Sequence, residues 1–229
     1  MIECIILAGG LGTRLRSSVP DKPKPLAPIQ GVPFLDILLN RLNFVSKVVL
    51  AISYKASQII DHYQKNPPSF RIEYSIEETL LGTGGAIAYA MQKTTSSPIL
   101  VLNGDSFLDF SFESLLQSHL ENQADLTIVS THVENASRYG QLNIDFPSQK
   151  IQGFQEKSED IHPGWINAGV YLMERTLFNG LDLGHTFSFE KDALPLLLNK
   201  KVFSHPCSGT FIDIGTPESF EAAQHILKV

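Results

Sequence analysis

A glycine-rich loop that ends in a cation is the first feature of this sequence that could do chemistry. In "ILAGGLGTRL" an apolar run leads to Gly9, Gly10 and Gly12, and Arg14 follows closely. Successive backbone N–H groups in such a loop can form a nest for an anion. A tight turn without a ligand is the alternative, but it leaves Arg14 without a role. The loop is therefore a candidate phosphate cradle.

Spacing excludes two familiar phosphate-binding loops. A Walker A loop needs Gly-Lys-Ser/Thr after its glycines, whereas Gly12 is followed by Thr-Arg. A dinucleotide-binding loop needs glycine or alanine where this sequence has Leu15. It also expects an acidic residue at the end of the second strand, and "AISYK" contains none. Any phosphate must therefore be bound by a loop of another kind.

A second cationic segment, "DKPKPLAP", begins seven residues after Arg14. Its prolines hold the backbone extended, which limits the flexibility of Lys24 at its attachment point. A lysine fixed in this way can serve as a point charge for a phosphate. Taken alone, the segment fits a solvated proline-rich loop equally well. Next to the glycine loop, it favours a phosphate site.

The elements that must position these residues alternate along the first half of the chain. The patterns predict strands at 4–8, 47–52, 70–76, 98–103, 124–133, 139–145, 150–157, 165–173 and 210–215. They predict helices at 33–45, 55–63, 84–92, 111–122, 189–198 and 217–227. Such alternation predicts an α/β fold with a largely parallel sheet and helices on both faces. No linker divides the chain, so we predict one domain over residues 1–229.

Composition narrows the class of partner. The chain has 229 residues, of which 43% are hydrophobic and 18% charged, as in ordinary folded proteins. A formal net charge of −6 argues against nucleic acid as a partner. Cys4 and Cys207 lie in separate apparent strands, which fits buried thiols in a reducing compartment. No signal peptide or membrane-spanning run is apparent. We predict a cytoplasmic protein without membrane contact.

The order of the motifs resembles that of the sugar-1-phosphate nucleotidyltransferases, also called nucleotide-sugar pyrophosphorylases. The resemblance begins with "LAGGLGTRL" and "KPKPLAPI" and continues through "LGTGGAI", "LNGDSF", "YGQLNID", "FQEK", "INAGVY" and "FIDIGTPESF". It covers nearly the whole chain. It implies a three-layer, Rossmann-like fold of the GT-A type with a small β-rich part for the sugar. It also implies nucleotidyl transfer from an NTP to a sugar 1-phosphate, which are small-molecule substrates.

The resemblance implies a role for each matching position. The nucleotide would be bound by Leu7, Ala8, Gly9, Gly10, Gly12, Thr13, Arg14, Gly82, Thr83 and Gly104. The sugar phosphate would be bound by Tyr139, Gly140, Glu156, Lys157, Asn167 and Gly169. The catalytic residues would be Arg14, Lys24 and Asp105, and the ligands of Mg²⁺ would be Asp105 and Asp213.

The two aspartates can be checked against strand positions. Asp105 follows the fourth predicted strand and Asp213 lies in a late one, so both carboxylates could face one cleft. Mg²⁺ is commonly held by few carboxylates together with substrate phosphates. Helix N-capping is the alternative fate of an aspartate at a strand end.

The expected specificity for nucleotide and sugar rests on longer stretches of the sequence. "DKPKPLAPI", "AISYKASQIIDHY", "YSIEETLLGTGGAI" and "FSFEKDALP" most resemble the D-glycero-α-D-manno-heptose 1-phosphate guanylyltransferases. That resemblance implies GTP as donor. The alternatives are mannose-1-phosphate guanylyltransferases and thymidylyl or uridylyl hexose-1-phosphate transferases. A catalytically silent regulator that binds a nucleotide-sugar is a further alternative. The oligomeric state is open, with a homodimer among the options.

Overall fold

The computed structural model describes residues 2–155 and 160–228. The strands are β1 Ile2–Leu7, β2 Pro28–Ile29, β3 Val32–Pro33, β4 Val45–Ile52, β5 Arg71–Ile76, β6 Ile99–Asn103, β7 Ser106–Leu108, β8 Leu126–Val133, β9 Gln141–Asp145, β10 Lys150–Gln155, β11 Gly164–Met173, β12 Val202–Pro206 and β13 Phe211–Asp213. The helices are α1 Phe34–Leu39, α2 Ala56–Lys65, α3 Gly82–Met91, α4 Phe112–Glu121, α5 Leu194–Leu197 and α6 Pro217–Ile226. Within these ranges no helix has the length and apolar character needed to cross a membrane.

One nine-stranded sheet runs through both halves of the chain, in the order β5-β4-β1-β6-β11-β8-β12-β10-β9. The pairs β4–β5, β1–β4, β1–β6 and β8–β12 are parallel, as the alternation of strands and helices predicts. Strand β11 is antiparallel to β6 and β8, and β9 is antiparallel to β10. The predicted α/β class is confirmed, and the antiparallel strands of the second half make the sheet mixed.

Two hydrophobic cores cover the two faces of the sheet. Alternate residues of β1 face opposite sides, so Cys4 and Ile6 enter one core and Ile5 enters the other. The first core is covered by residues of α1, α2, α4 and α6, and the second by residues of α3 and α5. Helices therefore lie on both faces, as predicted.

Local signals explain where the helices begin. The hydroxyl of Ser111 accepts a hydrogen bond from Ser114 N at the start of α4. Thr216 and Ser219 form a reciprocal capping box at the start of α6. In α2, Ile59 and Tyr63 are buried four residues apart, which gives the helix one apolar face.

The structure differs from the sequence-based prediction in two helices and in several short elements. Helix α1 stops at Leu39 instead of continuing to residue 45, and Pro33 is its N-cap. The predicted helix at 189–198 begins as a π-helical turn, Phe189–Ala193, before α5. Strands β2, β3, β7 and β12 and the 3₁₀ turn Lys24–Leu26 were not predicted. All but β12 have only two or three residues, too few for a periodic pattern, and β12 contains Pro206, which argues against a strand.

Candidate active site

A cavity of about 870 Å³ opens where β1 and β6 end. Ligands of open α/β sheets bind in this position, beyond the carboxyl ends of the strands. Residues of both halves of the chain line it. The predicted site residues among them are Leu7, Ala8, Gly9, Gly10, Gly12, Thr13, Arg14, Lys24, Gly82, Thr83, Gly104, Asp105, Tyr139, Gly140, Asn167 and Asp213.

Three predicted site residues are not among those lining residues. Gly169 lies beside the cavity with φ +75°, and a Cβ there would be 2.7 Å from the side-chain nitrogen of Asn103. Its lack of a side chain lets β11 approach Asn103, which does line the cavity. Glu156 and Lys157 lie outside the described residues, so their roles stay predictions.

The glycine loop leaves β1 and turns at Gly12, whose φ is +58° and whose carbonyl accepts from Leu15 N at 3.1 Å. Leu15 is buried and anchors the far end of the loop. A Cβ on Gly10 would meet no atom within 4 Å, because that side of the loop faces open space. Arg14 is exposed at the same cavity. The loop therefore presents backbone and one cation to whatever fills the cavity.

Lys24 lines the cavity and forms an ion pair with Asp105 there. The 3₁₀ turn between Pro23 and Ala27 fixes its backbone, and Ala27 N donates to its carbonyl at 3.0 Å. Its Nζ lies 2.6 Å from Oδ2 of Asp105, and its side chain is only 13% exposed. Gly12 packs against its Cβ. The proline segment thus holds the Lys24 ammonium near the end of β6, which agrees with the limited flexibility that the prolines predict.

Asp105 and Asp213 are brought together by backbone pairing. Strands β7 and β13 pair antiparallel with Asp213 opposite Ser106, and Ile214 N donates to the carbonyl of Asp105 at 2.9 Å. Gly104 N donates to the carbonyl of Leu7 at 2.9 Å, which ties this turn to the end of β1. Neither carboxylate caps a helix. Both face the cavity, so the alternative of N-capping does not apply to them.

The carboxylate of Asp213 is oriented by four donors. Tyr139 Oη donates to it at 2.5 Å and Gly215 N at 2.6 Å, while Ser219 Oγ lies at 3.2 Å. Arg138 lies 3.3 Å from the same carboxylate. Burial raises the pKa of Tyr139, and the hydrogen bond to Asp213 raises it further, so the phenol stays protonated as the donor.

The donor chemistry fits a hard divalent cation. Asp105 and Asp213 supply carboxylate oxygens, and among residues 2–155 and 160–228 no three His, Cys, Asp or Glu side chains are grouped so that they could hold a metal ion. Mg²⁺ commonly takes one or two carboxylates and completes its octahedron with water and phosphate oxygens. Two carboxylates without further protein ligands match that pattern.

The side of the cavity assigned to the sugar joins β11 to the segment before β9. Asn167 N donates to the carbonyl of Gly140 at 2.9 Å. The amide of Asn167 is fixed by Tyr171, whose hydroxyl accepts from Nδ2 at 2.7 Å, and by Gly169 N, which donates to Oδ1 at 3.0 Å. A Cβ on Gly140 would be 2.4 Å from the ring of Phe154. Gly140 is therefore required for this packing.

The opposite side of the cavity is formed by the start of α3. Gly82 has φ +73°, and a Cβ there would be 2.5 Å from the carbonyl oxygen of Phe187. Thr83 does not cap α3. Its hydroxyl donates to Glu190 at 2.8 Å and accepts from Phe189 N at 2.9 Å, which joins α3 to the π-helical turn.

Several lining residues were missed by sequence reasoning. They are Glu77, Asn103, Arg138, Phe154, Ser188, Glu190 and Lys191. Asn103 lies inside the quoted motif "LNGDSF" and Arg138 directly precedes "YGQLNID", but neither was given a role. Phe154, Glu77 and the residues from 188 to 191 lie inside the quoted stretches "FQEK", "YSIEETLLGTGGAI" and "FSFEKDALP", but only the tertiary fold shows that they reach the cavity.

Comparison with known proteins agrees with this geometry. Residues 3–228 match the family described as Nucleotidyl transferase. D-glycero-alpha-D-manno-heptose 1-phosphate guanylyltransferase of Aneurinibacillus thermoaerophilus is 37% identical over 230 residues, which are 99% of this chain and 99% of the relative. Mannose-1-phosphate guanylyltransferase of Mycobacterium tuberculosis is 34% identical, and the match covers 96% of this chain but 62% of the relative.

A solved structure is also similar along its whole length. HddC from Yersinia pseudotuberculosis has 37% sequence identity and a TM-score of 0.89, and the match covers 100% of both chains. The structure of HddC complexed with GMP-PN matches with a TM-score of 0.88.

Proposed function

Since this chain belongs to the nucleotidyl transferase family, we propose that it transfers a guanylyl group from GTP to D-glycero-α-D-manno-heptose 1-phosphate. The products are GDP-heptose and pyrophosphate. The observation that carries the proposal is the match to the Aneurinibacillus enzyme, which is 37% identical over 99% of both chains. HddC, whose structure with GMP-PN is similar at a TM-score of 0.88, gives further support to a guanine nucleotide.

The reaction needs no covalent enzyme intermediate. A phosphate oxygen of the sugar 1-phosphate attacks the α-phosphorus of GTP in line, and the bond from this phosphorus to the bridging oxygen of the β-phosphate breaks. Pyrophosphate carries away the bonding electrons, and the attacking oxygen is already deprotonated. The protein's task is therefore to position two anions and to stabilise charge.

Each part of the cavity suits one of these tasks. The backbone N–H groups of the glycine loop and Arg14 would bind the triphosphate. Lys24, held at the end of β6, would stabilise charge on the α-phosphate in the transition state. The region around Tyr139, Gly140 and Asn167 would bind the sugar. Lys157 is predicted to position the attacking phosphate.

Asp105 and Asp213 would hold Mg²⁺, which would neutralise phosphate charge when bound. In the described structure Lys24 already lies against Asp105, so the lysine and the metal would act on the same phosphate region. A nucleotide donor and two unpaired cysteines, Cys4 and Cys207, support a cytoplasmic location.

Mannose 1-phosphate is the second candidate acceptor. Mannose-1-phosphate guanylyltransferase of Mycobacterium tuberculosis is 34% identical, but this chain covers 62% of its length. The heptose relative matches over its full length, which favours the heptose.

A panel of donors and acceptors tests the proposal. Purified protein with Mg²⁺ is given GTP, UTP or dTTP, each with the heptose 1-phosphate or mannose 1-phosphate, and pyrophosphate release is measured. We expect the highest kcat/KM with GTP and the heptose 1-phosphate. Turnover of UTP or dTTP without turnover of GTP would overturn the guanylyl assignment, and no turnover with any pair would favour a silent regulator.

A further inference from the structure

The segment 15–23 joins Arg14 to Lys24, two of the cations that the proposed reaction uses. It begins with a tight turn, in which Val19 N donates to the carbonyl of Leu15 at 3.0 Å. Leu15 is buried, but most of the segment is exposed. The direction of Arg14 therefore depends on what holds the exposed part of this segment.

Two residues that follow the end of β4 contact the exposed part of the segment. Lys55 Nζ donates a hydrogen bond to the carbonyl of Pro20 at 3.0 Å. The guanidinium of Arg16 lies over the ring of Tyr54, 5.3 Å from its centroid, and the ammonium of Lys55 lies 5.5 Å from the same centroid. Contacts of this kind between a cation and an aromatic ring are attractive. The segment is therefore fastened at two points, Arg16 and Pro20.

The end of β4 also supports the start of the glycine loop. Ala8 N donates to the carbonyl of Ala51 at 2.8 Å. A Cβ on Gly9 would lie 3.2 Å from the backbone nitrogen of Ser53, so the loop lies directly against this part of the chain. The end of β4 and the residues after it thus hold the phosphate loop both before its glycines and beyond Arg14.

The backbone of Lys55 has a conformation that a lysine adopts at a cost. Its φ is +52° and its ψ +34°, in the left-handed region, and it is the N-cap of α2. Asparagine and glycine enter this region more readily, and both are preferred at N-caps. The side chain of Lys55 makes no capping hydrogen bond. Because the helix start would be better served by another residue, the lysine is explained by the contacts of its ammonium.

We propose that Lys55 is a positioning residue for the triphosphate of GTP. Its contacts with Pro20 and Tyr54 hold the segment 15–23 against the end of β4, so that Arg14 is directed at the cavity before the nucleotide binds. Lys55 itself does not line the cavity, so it acts through the segment and not on the nucleotide. Holding the segment in place lowers the entropy that binding must remove. This inference rests on the proposed function, because it needs a triphosphate in the cavity.

Lys55→Asn tests the proposal, because asparagine suits the left-handed backbone but is too short to reach the carbonyl of Pro20. We expect the KM for GTP to rise about 5- to 10-fold, since a hydrogen bond from a charged donor is lost. The kcat and the KM for the sugar 1-phosphate should change little. The Tm should stay the same or rise, because the start of α2 is relieved of strain. A residue that served only the fold would lower Tm when replaced and would not affect one substrate alone.

Two further variants complete the kinetic test. Lys55→Arg keeps a cation that can donate to the same carbonyl, so its KM for GTP should stay within about 2-fold of the wild type. Lys65→Asn removes the same charge at the exposed end of α2 and is the matched control. It should keep wild-type kinetics. Steady-state pyrophosphate release and thermal denaturation are measured for all three variants.

Limited digestion with trypsin gives a readout without any substrate. Arg16 lies within the segment and is followed by serine, whereas Lys22 and Lys24 precede prolines and resist the protease. We expect the bond after Arg16 to be cut about 3-fold faster or more in Lys55→Asn than in the wild type, because a loosened segment opens more often. Lys55→Arg and Lys65→Asn should be cut at this bond at the wild-type rate.

Three results would overturn the inference while leaving the proposed function intact. The first is a Lys55→Asn protein that keeps the wild-type KM for GTP. The second is a Lys55→Asn protein that is unfolded or has a lower Tm, because Lys55 would then serve the fold. The third is an equal rise of this KM in Lys55→Asn and Lys55→Arg. Failure of the proposed function would look different, because the wild type would then turn over no GTP, and the trypsin comparison would still decide whether Lys55 holds the segment.

Discussion

Lys24 has a fixed position because four neighbours constrain it: the prolines on both sides, Gly12 against its Cβ and Asp105, whose Oδ2 lies 2.6 Å from its Nζ. A cation with so little freedom can be aimed at one phosphate, and its contribution should appear mainly in the transition state. Lys22, two residues earlier, is exposed and does not line the cavity. Lys22 and Lys24 carry the same charge, but only Lys24 lines the cavity. Substituting each in turn therefore separates the effect of position from the effect of charge.

We expect Lys24→Met to lower kcat about 100-fold or more, with a smaller change in the KM for GTP. Lys22→Met removes the same charge outside the cavity and should keep near wild-type kinetics. Steady-state pyrophosphate release with GTP as the varied substrate measures both parameters. Equal losses in the two variants would mean that overall charge matters and that the position of Lys24 does not.

Sequence reasoning found most of the cavity residues because they occur in ordered motifs at strand ends. Lys24, Asp105 and Asp213 were expected to meet, and pairing of β7 with β13 brings the two aspartates together. The partners of Asp213 could not be predicted. Gly215 and Ser219 follow it closely, but Tyr139 reaches it only through the tertiary fold. Glu77 lies inside a quoted stretch, but its place in the cavity likewise depends on the tertiary fold.

At the scale of elements, the start of α3 depends on one glycine. Gly82 needs φ +73° and stands against the carbonyl oxygen of Phe187. Gly180 has a similar φ of +78°, but a Cβ there would meet no atom within 4 Å. Comparing alanine at the two sites separates backbone strain from steric contact.

We expect Gly180→Ala to lower the free energy of unfolding by about 1 kcal/mol, the cost of the left-handed conformation. Gly82→Ala should cost at least about 2 kcal/mol, because strain and clash add, and it should also weaken GTP binding. Urea denaturation and calorimetric titration measure these effects. Equal unfolding free energies for the two variants would contradict the packing described at α3.

Glu3 joins β1 to the segment before β6. It accepts from Ser96 N at 2.9 Å and from Thr95 N, and Lys47 Nζ lies 3.0 Å away. Burial would raise the pKa of Glu3, but these hydrogen bonds and the lysine outweigh it and lower the pKa to about 2. The pKa of the folded state lies below the ordinary value of 4.5, so the stabilisation is present above about pH 4.5 and is lost as the pH falls towards 2.

We expect Glu3→Gln to lower the free energy of unfolding at pH 7 by about 2 kcal/mol and to flatten its fall between about pH 4.5 and 2. Glu134→Gln, at an exposed site, is the control and should leave the pH profile unchanged. Chemical denaturation across this pH range gives the profile. An unchanged slope in Glu3→Gln would refute the assignment.

Strands and helices of the first half were predictable because continuous apolar runs alternate with amphipathic segments. Helix α1 was predicted too long, since "NRLNFV" keeps an apolar spacing although the chain turns after Leu39 towards β4. The antiparallel placement of β11 between β6 and β8 has no local signal, because strand direction depends on the connections around it.

On the scale of the whole molecule, the cavity lies where the parallel strands β1 and β6 meet the antiparallel second half. Gly10 and Lys24 reach it from the first half, and Tyr139 and Asp213 from the second. That shared lining supports the prediction of one domain over residues 1–229. It also means that a bound nucleotide would contact both halves and stabilise them together.

We expect GTP with Mg²⁺ at about 100 times its Kd to stabilise the protein by about 2.7 kcal/mol, which raises Tm by about 5–10 °C. Chelating the metal with EDTA should remove most of that rise, because phosphates would then face Asp105 and Asp213 without a cation between them. Differential scanning calorimetry records both. A rise of the same size in EDTA would show that the two aspartates do not hold a metal with the nucleotide.

Guanylyl transfer is proposed to take place in this cavity. The most direct measurement is pyrophosphate release from GTP and the heptose 1-phosphate, made on the wild type, on Asp105→Asn and on Asp109→Asn. Asp109 lies outside the cavity in an ion pair with Arg41, so it is the matched control. We predict release by the wild type and the control, and a loss of about 100-fold or more in folded Asp105→Asn. Wild-type rates in Asp105→Asn, or no release from the wild type, would contradict the account.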